Sequence, residues 1–150
     1  MLRRLVRILF WLALAQAATM ALGQVLSSRM SRGDEQSDVF RVAAVCGGRQ
    51  FRSYADELRS AAAVATMGGI DLDLSHSHLA AEGAHLDLQA TMGGIKVVVP
   101  AGWSVQVDAE QTAGGCEARV TPAEDLPEDA PRLSVHAVAR MGGVLVTSKV

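Results

Sequence analysis

Residues 84–99 read AHLDLQATMGGIKVVV, and the phase of the apolar residues on either side of Gly93-Gly94 decides the fold. Ala84, Leu86, Leu88, Ala90 and Met92 alternate with His85, Asp87, Gln89 and Thr91, the pattern of a half-buried strand rather than a helix. After the glycines the apolar set becomes Ile95, Val97 and Val99, so it moves from even to odd numbers. A strand running straight through would turn its core face to water. The glycine pair is therefore expected to form a corner or bulge, because glycine reaches positive φ without steric cost and lets backbones approach closely.

The same unit recurs along the chain. ATMGGIDLDL at 65–74, QTAGGCEARV at 111–120 and ARMGGVLVTS at 139–148 repeat it, and AVCGGRQFRS at 44–53 is a degenerate copy. The pairs are Gly47-Gly48, Gly68-Gly69, Gly93-Gly94, Gly114-Gly115 and Gly142-Gly143, at intervals of 21, 25, 21 and 28 residues. That period suits one coil of a solenoid. The expected inward frame comprises Phe40, Val42, Ala44 and Cys46 at the first pair, and Trp103, Val105, Val107, Ala109, Cys116, Ala118 and Val120 around the fourth. Around the fifth it comprises Leu133, Val135, Ala137, Ala139, Met141, Val144 and Val146.

The fold class this predicts is all-β. A right-handed β-helix or solenoid-like domain of about five Gly-Gly coils would occupy residues 38–150, with the ten corner glycines as a ladder along one edge. Pro100-Ala101-Gly102 and Glu82-Gly83 supply turns, and TPAEDLPEDAP at 121–131 is the longest loop, which accounts for the 28-residue interval. With coils stacked in chain order at ~4.8 Å, Cys46 and Cys116 would lie three coils or ~14 Å apart, beyond disulfide reach.

The amino-terminal segment has a different character. A basic flank at 1–7 carries Arg3, Arg4 and Arg7, and residues 8–26 form a 19-residue stretch without a charged side chain. As a helix it would span ~28 Å, close to the ~30 Å hydrocarbon thickness of a bilayer. A single-pass transmembrane anchor is the expectation, with a signal peptide cleaved near Ala17, and hence secretion, as the alternative, because Ala15-Gln16-Ala17 fits a small-x-small site. The basic residues before the span outnumber Arg29 and Arg32 after it, which places the domain outside the cytoplasm. Residues 27–37, SSRMSRGDEQS, read as a polar linker.

Charge excludes one class of partner. Five of the fourteen basic residues lie in residues 1–32, which hold no acid, so nine basic residues meet sixteen acids in the rest, a net of −7. Such a body repels phosphate backbones, which argues against nucleic-acid binding.

Constellations with chemical potential are few. His76 and His78 would share a face if a strand continued through 75–79, and His85, Asp71 and Asp73 are near in sequence, but no third metal ligand is fixed by spacing. Asp71 and Asp73 would be neighbours on one exposed strand face, an arrangement that blocks edge-to-edge aggregation more readily than it supplies acid and base to a glycan. Cys46 and Cys116 read as small buried hydrophobes. No Gly-Lys-Ser/Thr follows any glycine pair, so a phosphate loop is not indicated. Trp103 reads as a cap on the core, with a surface ligand platform as the other use of such a ring. Neither catalytic nor metal residues are expected and no cofactor is implied; Asp71, Asp73 and Trp103 are the candidate surface contacts.

MGGIDLDLS at 67–75, together with GAHLDLQATMGGIKVVVPAGWSVQVD at 83–108, resembles the C-terminal domain of the LiaF-like family of cell-wall-active antibiotics response proteins. The resemblance covers roughly residues 38–148 and rests on the paired MGG motifs, the DLDL after Gly69 and the VPAGWSVQV around Trp103. It implies a β-helix-like domain linked to the membrane and acting in cell-envelope stress signalling, in some members by restraining a membrane sensor kinase. This chain departs from the best-known members in having one candidate span. The resulting expectation is a non-enzymatic, membrane-tethered interaction module that senses or regulates envelope stress, with a sensor kinase or another envelope protein as partner. Its rival is a passive surface scaffold or adhesin-type β-solenoid. Exposed terminal coils would also permit weak homo-oligomers.

Overall fold

The computed structural model describes residues 13–18, 21, 22, 25, 26, 29 and 31–149. The domain is all-β, with ten strands that form two five-stranded parallel sheets. Five rungs build it, each giving one strand to either sheet: β1 (Val39–Val45) with β2 (Gly48–Arg52), β3 (Ser60–Thr66) with β4 (Gly69–Asp73), and β5 (Ala84–Thr91) with β6 (Gly94–Pro100). The last two are β7 (Ser104–Gln111) with β8 (Gly115–Arg119), and β9 (Arg132–Arg140) with β10 (Gly143–Lys149). A glycine pair lies where each rung passes from the first sheet to the second.

The two sheets enclose one core. Leu86, Leu88, Ala90, Val135, Ala137 and Ala139 of the first sheet face Ile70, Leu72, Ile95, Val97, Val99, Val144 and Val146 of the second, all buried. Small alanines alternate with branched residues across the interior, which brings the sheets together without large rings. Phe40 and Phe51, with ring centroids 4.8 Å apart, close the first end.

The rungs do not stack in chain order. The first sheet runs β1-β3-β5-β9-β7 and the second β2-β4-β6-β10-β8, so the fifth rung is inserted between the third and the fourth. Ala101, Gly102 and Trp103 join β6 to β7 across the position that β9 and β10 later fill. These three residues form a turn, with Trp103 N donating to Pro100 O at 3.4 Å. The loop at 120–131 then returns the chain to the vacant position. Cys46 and Cys116 consequently belong to the two terminal rungs, four steps or ~19 Å apart instead of three.

Charge accounts for part of this order. In the observed register Asp87 pairs with His136 and His136 with Asp108. Chain order would set Asp87 beside Asp108, and like charges directly opposite one another destabilise a sheet. His136 Nδ1 stands 3.9 Å from Asp108 Oδ2.

The corners differ from expectation in one respect. Positive φ falls on the residue before each of four glycine pairs, Cys46 (53°), Met67 (52°), Met92 (51°) and Met141 (51°), and not on the first glycines of those three Met-Gly-Gly units. Met92 and Met141, expected inside, are consequently turned out to solvent. The close approach assigned to glycine does hold. A Cβ on Gly68 would overlap the carbonyl oxygen of Gly47, and the same collision joins Gly93 to Gly68, Gly142 to Gly93 and Gly114 to Gly142. The ladder continues through the corner, with Gly69 N donating to Gly47 O at 3.0 Å, Gly94 N to Gly68 O at 3.0 Å and Gly143 N to Gly93 O at 3.0 Å.

A side chain in the left-handed region costs ~1–2 kcal/mol, less for asparagine. Met92→Asn should therefore raise stability by about 1 kcal/mol. Urea unfolding followed by circular dichroism would show it as a higher midpoint, and a lower one would mean that Met92 earns its place by packing.

The second half of the expected linker belongs to the domain. Arg32 and Arg41 exchange backbone hydrogen bonds in an antiparallel bridge, Tyr54 N donates to Glu35 O at 2.6 Å, and Ser31 Oγ accepts from Ala43 N and from Arg49 Nη1. Residues 31–38 thereby cover the edge of β1, while the edge of β7 and β8 has no strand beside it among the described residues. Residues 13–18 are helical, as are 21, 22, 25, 26 and 29. Much of the apolar stretch expected to cross a membrane lies outside the described residues, and among those described no helix is long and apolar enough to do so.

Candidate functional site

The first glycine of each pair lies in the bend between two strands and the second opens the strand that follows, and their surroundings separate them further. The first glycines, Gly68, Gly93, Gly142 and Gly114, are pressed against the neighbouring rung. At the second position, a Cβ on Gly48 or Gly115 would meet nothing within 4 Å, and on Gly69, Gly94 or Gly143 only a carbonyl oxygen at 3.8–3.9 Å. Neither φ nor packing demands glycine there, yet all five rungs have it.

These second glycines stack in register as Gly48, Gly69, Gly94, Gly143 and Gly115. Their missing side chains leave a trough of about 560 Å³ on the outer face of the second sheet, flanked by Arg49, Asp71, Lys96, Glu117 and Leu145. Asp71 pairs with Lys96 across adjacent strands, so the flank carries both signs of charge. The trough runs the full stack, ~19 Å, which is the span of about six extended residues.

Asp71 is exposed beside this trough. Asp73 is more enclosed and is occupied: it accepts from Arg52 Nε at 3.1 Å and from the backbone N–H and hydroxyl of Ser75 at 3.0 and 2.6 Å. Burial alone would raise its pKa, but the bonds from Ser75 and Arg52 together outweigh it and hold the carboxyl below its usual value. The stabilisation is present above the unfolded-state value of ~4 and is lost as pH falls through the depressed folded value. Asp73→Asn should therefore show a smaller loss of urea midpoint than the parent between pH ~5 and pH ~2. An equal loss would leave Asp73 without a part in acid sensitivity.

Trp103 does not serve as a surface platform, because it is 5% exposed and packs into the core. The strand bearing Asp71 and Asp73 stops at Asp73, and Ser75-His76 forms a turn, so His76 and His78 do not share a strand face. His76 instead lies against Tyr54, ring centroids 5.5 Å apart, with Nδ1 3.1 Å from Ser75 Oγ. Among the described residues no three His, Cys, Asp or Glu side chains gather in a way that could hold a metal ion. Both cysteines are free, and burial pushes the Cys116 thiol up, against thiolate reactivity.

The sequence reading overlooked a second concavity. On the outer face of the first sheet, His85, Asp87, Gln106, Asp108, Ser134 and His136 line a hollow of about 350 Å³. Counting back from the glycine pairs would have aligned Asp87, Asp108 and His136, each six residues before its first glycine. Which of them are neighbours could not be counted, because that depends on the inserted rung.

The chain matches no known protein-family profile, no curated protein and no solved structure.

Proposed function

We propose that this chain is a membrane-tethered, non-enzymatic interaction module that senses or regulates stress at the cell envelope. Its domain is a right-handed solenoid-like stack of Gly-Gly turns with the last turn inserted out of chain order. The observation that carries the reading is the glycine-floored trough, whose second glycines answer to no steric need of the fold. A ~19 Å open channel with both signs of charge on its flank accepts an extended segment of a partner better than it activates a small molecule. The uncharged stretch at 8–26 supplies the anchor, and the excess of basic residues before it over Arg29 and Arg32 after it supports a domain outside the cytoplasm. The resemblance to LiaF-like domains supports an envelope partner, with a membrane sensor kinase as its leading form.

Gly94→Val tests the proposal, since it fills the trough at a position where a Cβ meets only the Gly143 carbonyl at 3.9 Å. A photo-crosslinking residue in place of Lys96 should capture a membrane protein in living cells, and adding Gly94→Val should abolish that capture with the fold retained by circular dichroism. The Gly94→Val strain should also reproduce the transcriptional response of a deletion strain to cell-wall antibiotics. Undiminished capture, or a deletion with altered adhesion and unaltered transcription, would overturn the reading in favour of a passive scaffold.

A further inference from the structure

The four left-handed corner residues are Cys46, Met67, Met92 and Met141, so every one of them carries sulfur. Three of the chain's six methionines lie beyond residue 30, and all three occupy this position. The backbone does not ask for them, because glycine or asparagine adopts the left-handed region at lower cost. The core does not ask for them either, since Met67, Met92 and Met141 are 52%, 47% and 61% exposed.

Their spacing is set by the ladder. Cys46 N donates to Thr66 O, Met67 N to Thr91 O and Met92 N to Arg140 O, each at 3.0 Å, so successive corners sit one strand spacing apart. Their φ angles agree within 2°, so the four residues enter the corner with the same backbone rotation. Contiguity comes from the inserted rung. Stacked in chain order, the corner of the fourth rung would put Ala113 between Met92 and Met141, whereas in the observed order the four sulfur residues are consecutive and Ala113 falls at the end.

We propose that this row binds a monovalent soft metal ion of the Cu(I) or Ag(I) class, with the thioethers of Met67, Met92 and Met141 as ligands and the Cys46 sulfur at its end. Thioether and thiol sulfur are soft donors that favour such ions over zinc, calcium or magnesium. On the scale of a zinc–thiolate bond, ~2.3 Å, two sulfurs facing each other across an ion lie ~4.6 Å apart. The strand spacing of ~4.8 Å matches that separation without movement of the backbone, and the three rotatable bonds of methionine supply the remaining adjustment. Neutral ligands suit a singly charged ion, and the net −7 of residues 33–150 draws cations toward the surface. This inference stands on the corner geometry and is independent of the trough and its partner.

The test uses the full-length chain and silver ion, a redox-inert probe, in chloride-free buffer. Calorimetric titration should show saturable binding at micromolar concentration or below. Carbon-13 methyl spectra should show the Met67, Met92 and Met141 methyl resonances shifting while those of Met20 and Met30 stay in place. Met92→Leu keeps an apolar side chain of similar volume and removes the sulfur, so it should weaken binding about tenfold or more, a loss that even changes beyond the ligand shell can produce. A variant with Cys46→Ser and Cys116→Ser should still bind through the thioethers. Unshifted methionine methyls, an affinity indifferent to Met92→Leu, or binding that disappears with the cysteines would each overturn the proposal. The first two would leave the row as an apolar contact surface.

Discussion

Gly93→Ala is expected to unfold the domain at concentrations of urea in which Gly94→Ala remains native, although the two glycines are adjacent and share a strand corner. Gly93 belongs to the third rung, at the centre of the stack, and a Cβ there would penetrate the Gly68 carbonyl oxygen and approach the Gly68 amide nitrogen to 3.0 Å. Both atoms are backbone and cannot rotate aside. Relief requires the second and third rungs to separate, which would break the Gly94 N to Gly68 O bond and strain the Met67 N to Thr91 O bond beside it. Overpacking and the loss of ladder bonds in the interior place the penalty on the order of 3–5 kcal/mol, a large share of the 5–15 kcal/mol that stabilises an ordinary domain. At Gly94 the nearest atom to an added methyl is the Gly143 carbonyl oxygen at 3.9 Å, an ordinary contact, and the change should stay within about 1 kcal/mol. Paired urea denaturations would measure the contrast. Equal penalties would show that the corner demands glycine for its backbone angles and not for the approach of the rungs.

Trp103→Ala is expected to lower stability by about 3–5 kcal/mol, the range for removal of a buried aromatic side chain. Trp103 sits where the chain skips a rung position, with its amide directed to the Pro100 carbonyl at 3.4 Å and the next amide, of Ser104, bonded to Pro131 O at 2.8 Å. The backbone here therefore ties together the two segments that define the out-of-order insertion, the β6–β7 connection and the end of the 120–131 loop, and the ring is buried in the core. Its removal should disturb the fourth rung first, since β7 and β8 have neighbours on one side only. Hydrogen exchange would show faster loss of protection in β7 and β8 than in β3 and β5. A change below about 1 kcal/mol would return Trp103 to the surface role that its position after Ala101-Gly102 also permits.

How far the sequence could be read depended on the range of the interaction that decided each feature. Strand alternation, the phase shift at each glycine pair and the all-β class are local, because a side-chain period of two and a run such as Leu86, Leu88, Ala90 are properties of neighbouring residues. The burial of Ile95, Val97 and Val99 after Ala84, Leu86, Leu88 and Ala90 follows that alternation. The last residue of the expected frame failed at Met92, because the shift of phase begins before the glycines, at a residue whose left-handed angle no local preference of methionine announces. The two glycines of each pair were likewise indistinguishable in sequence, since their difference lies in what the adjacent rung presents to each.

The repeat of Gly-Gly units, with its apolar alternation, thus determined by itself that the chain forms strands with corners, which residues share a row and which face of the central rungs turns inward; Ala109 and Ala118 of the terminal fourth rung, expected inside, are exposed. Only the tertiary structure decided who stands next to whom. Apolar alternation alone does not order five similar rungs, and the observed order goes with long-range features: the turn at residues 101–103, the length of the 120–131 loop, and the separation of Asp87 from Asp108 by His136. That order brings four corner sulfur residues into one unbroken row, and the packing of neighbouring rungs leaves the second glycine of each pair unobstructed along a trough. The sulfur row has no signature in the linear spacing, and although the repeat predicts a glycine ladder, it does not tell the packed first glycines from the open second ones.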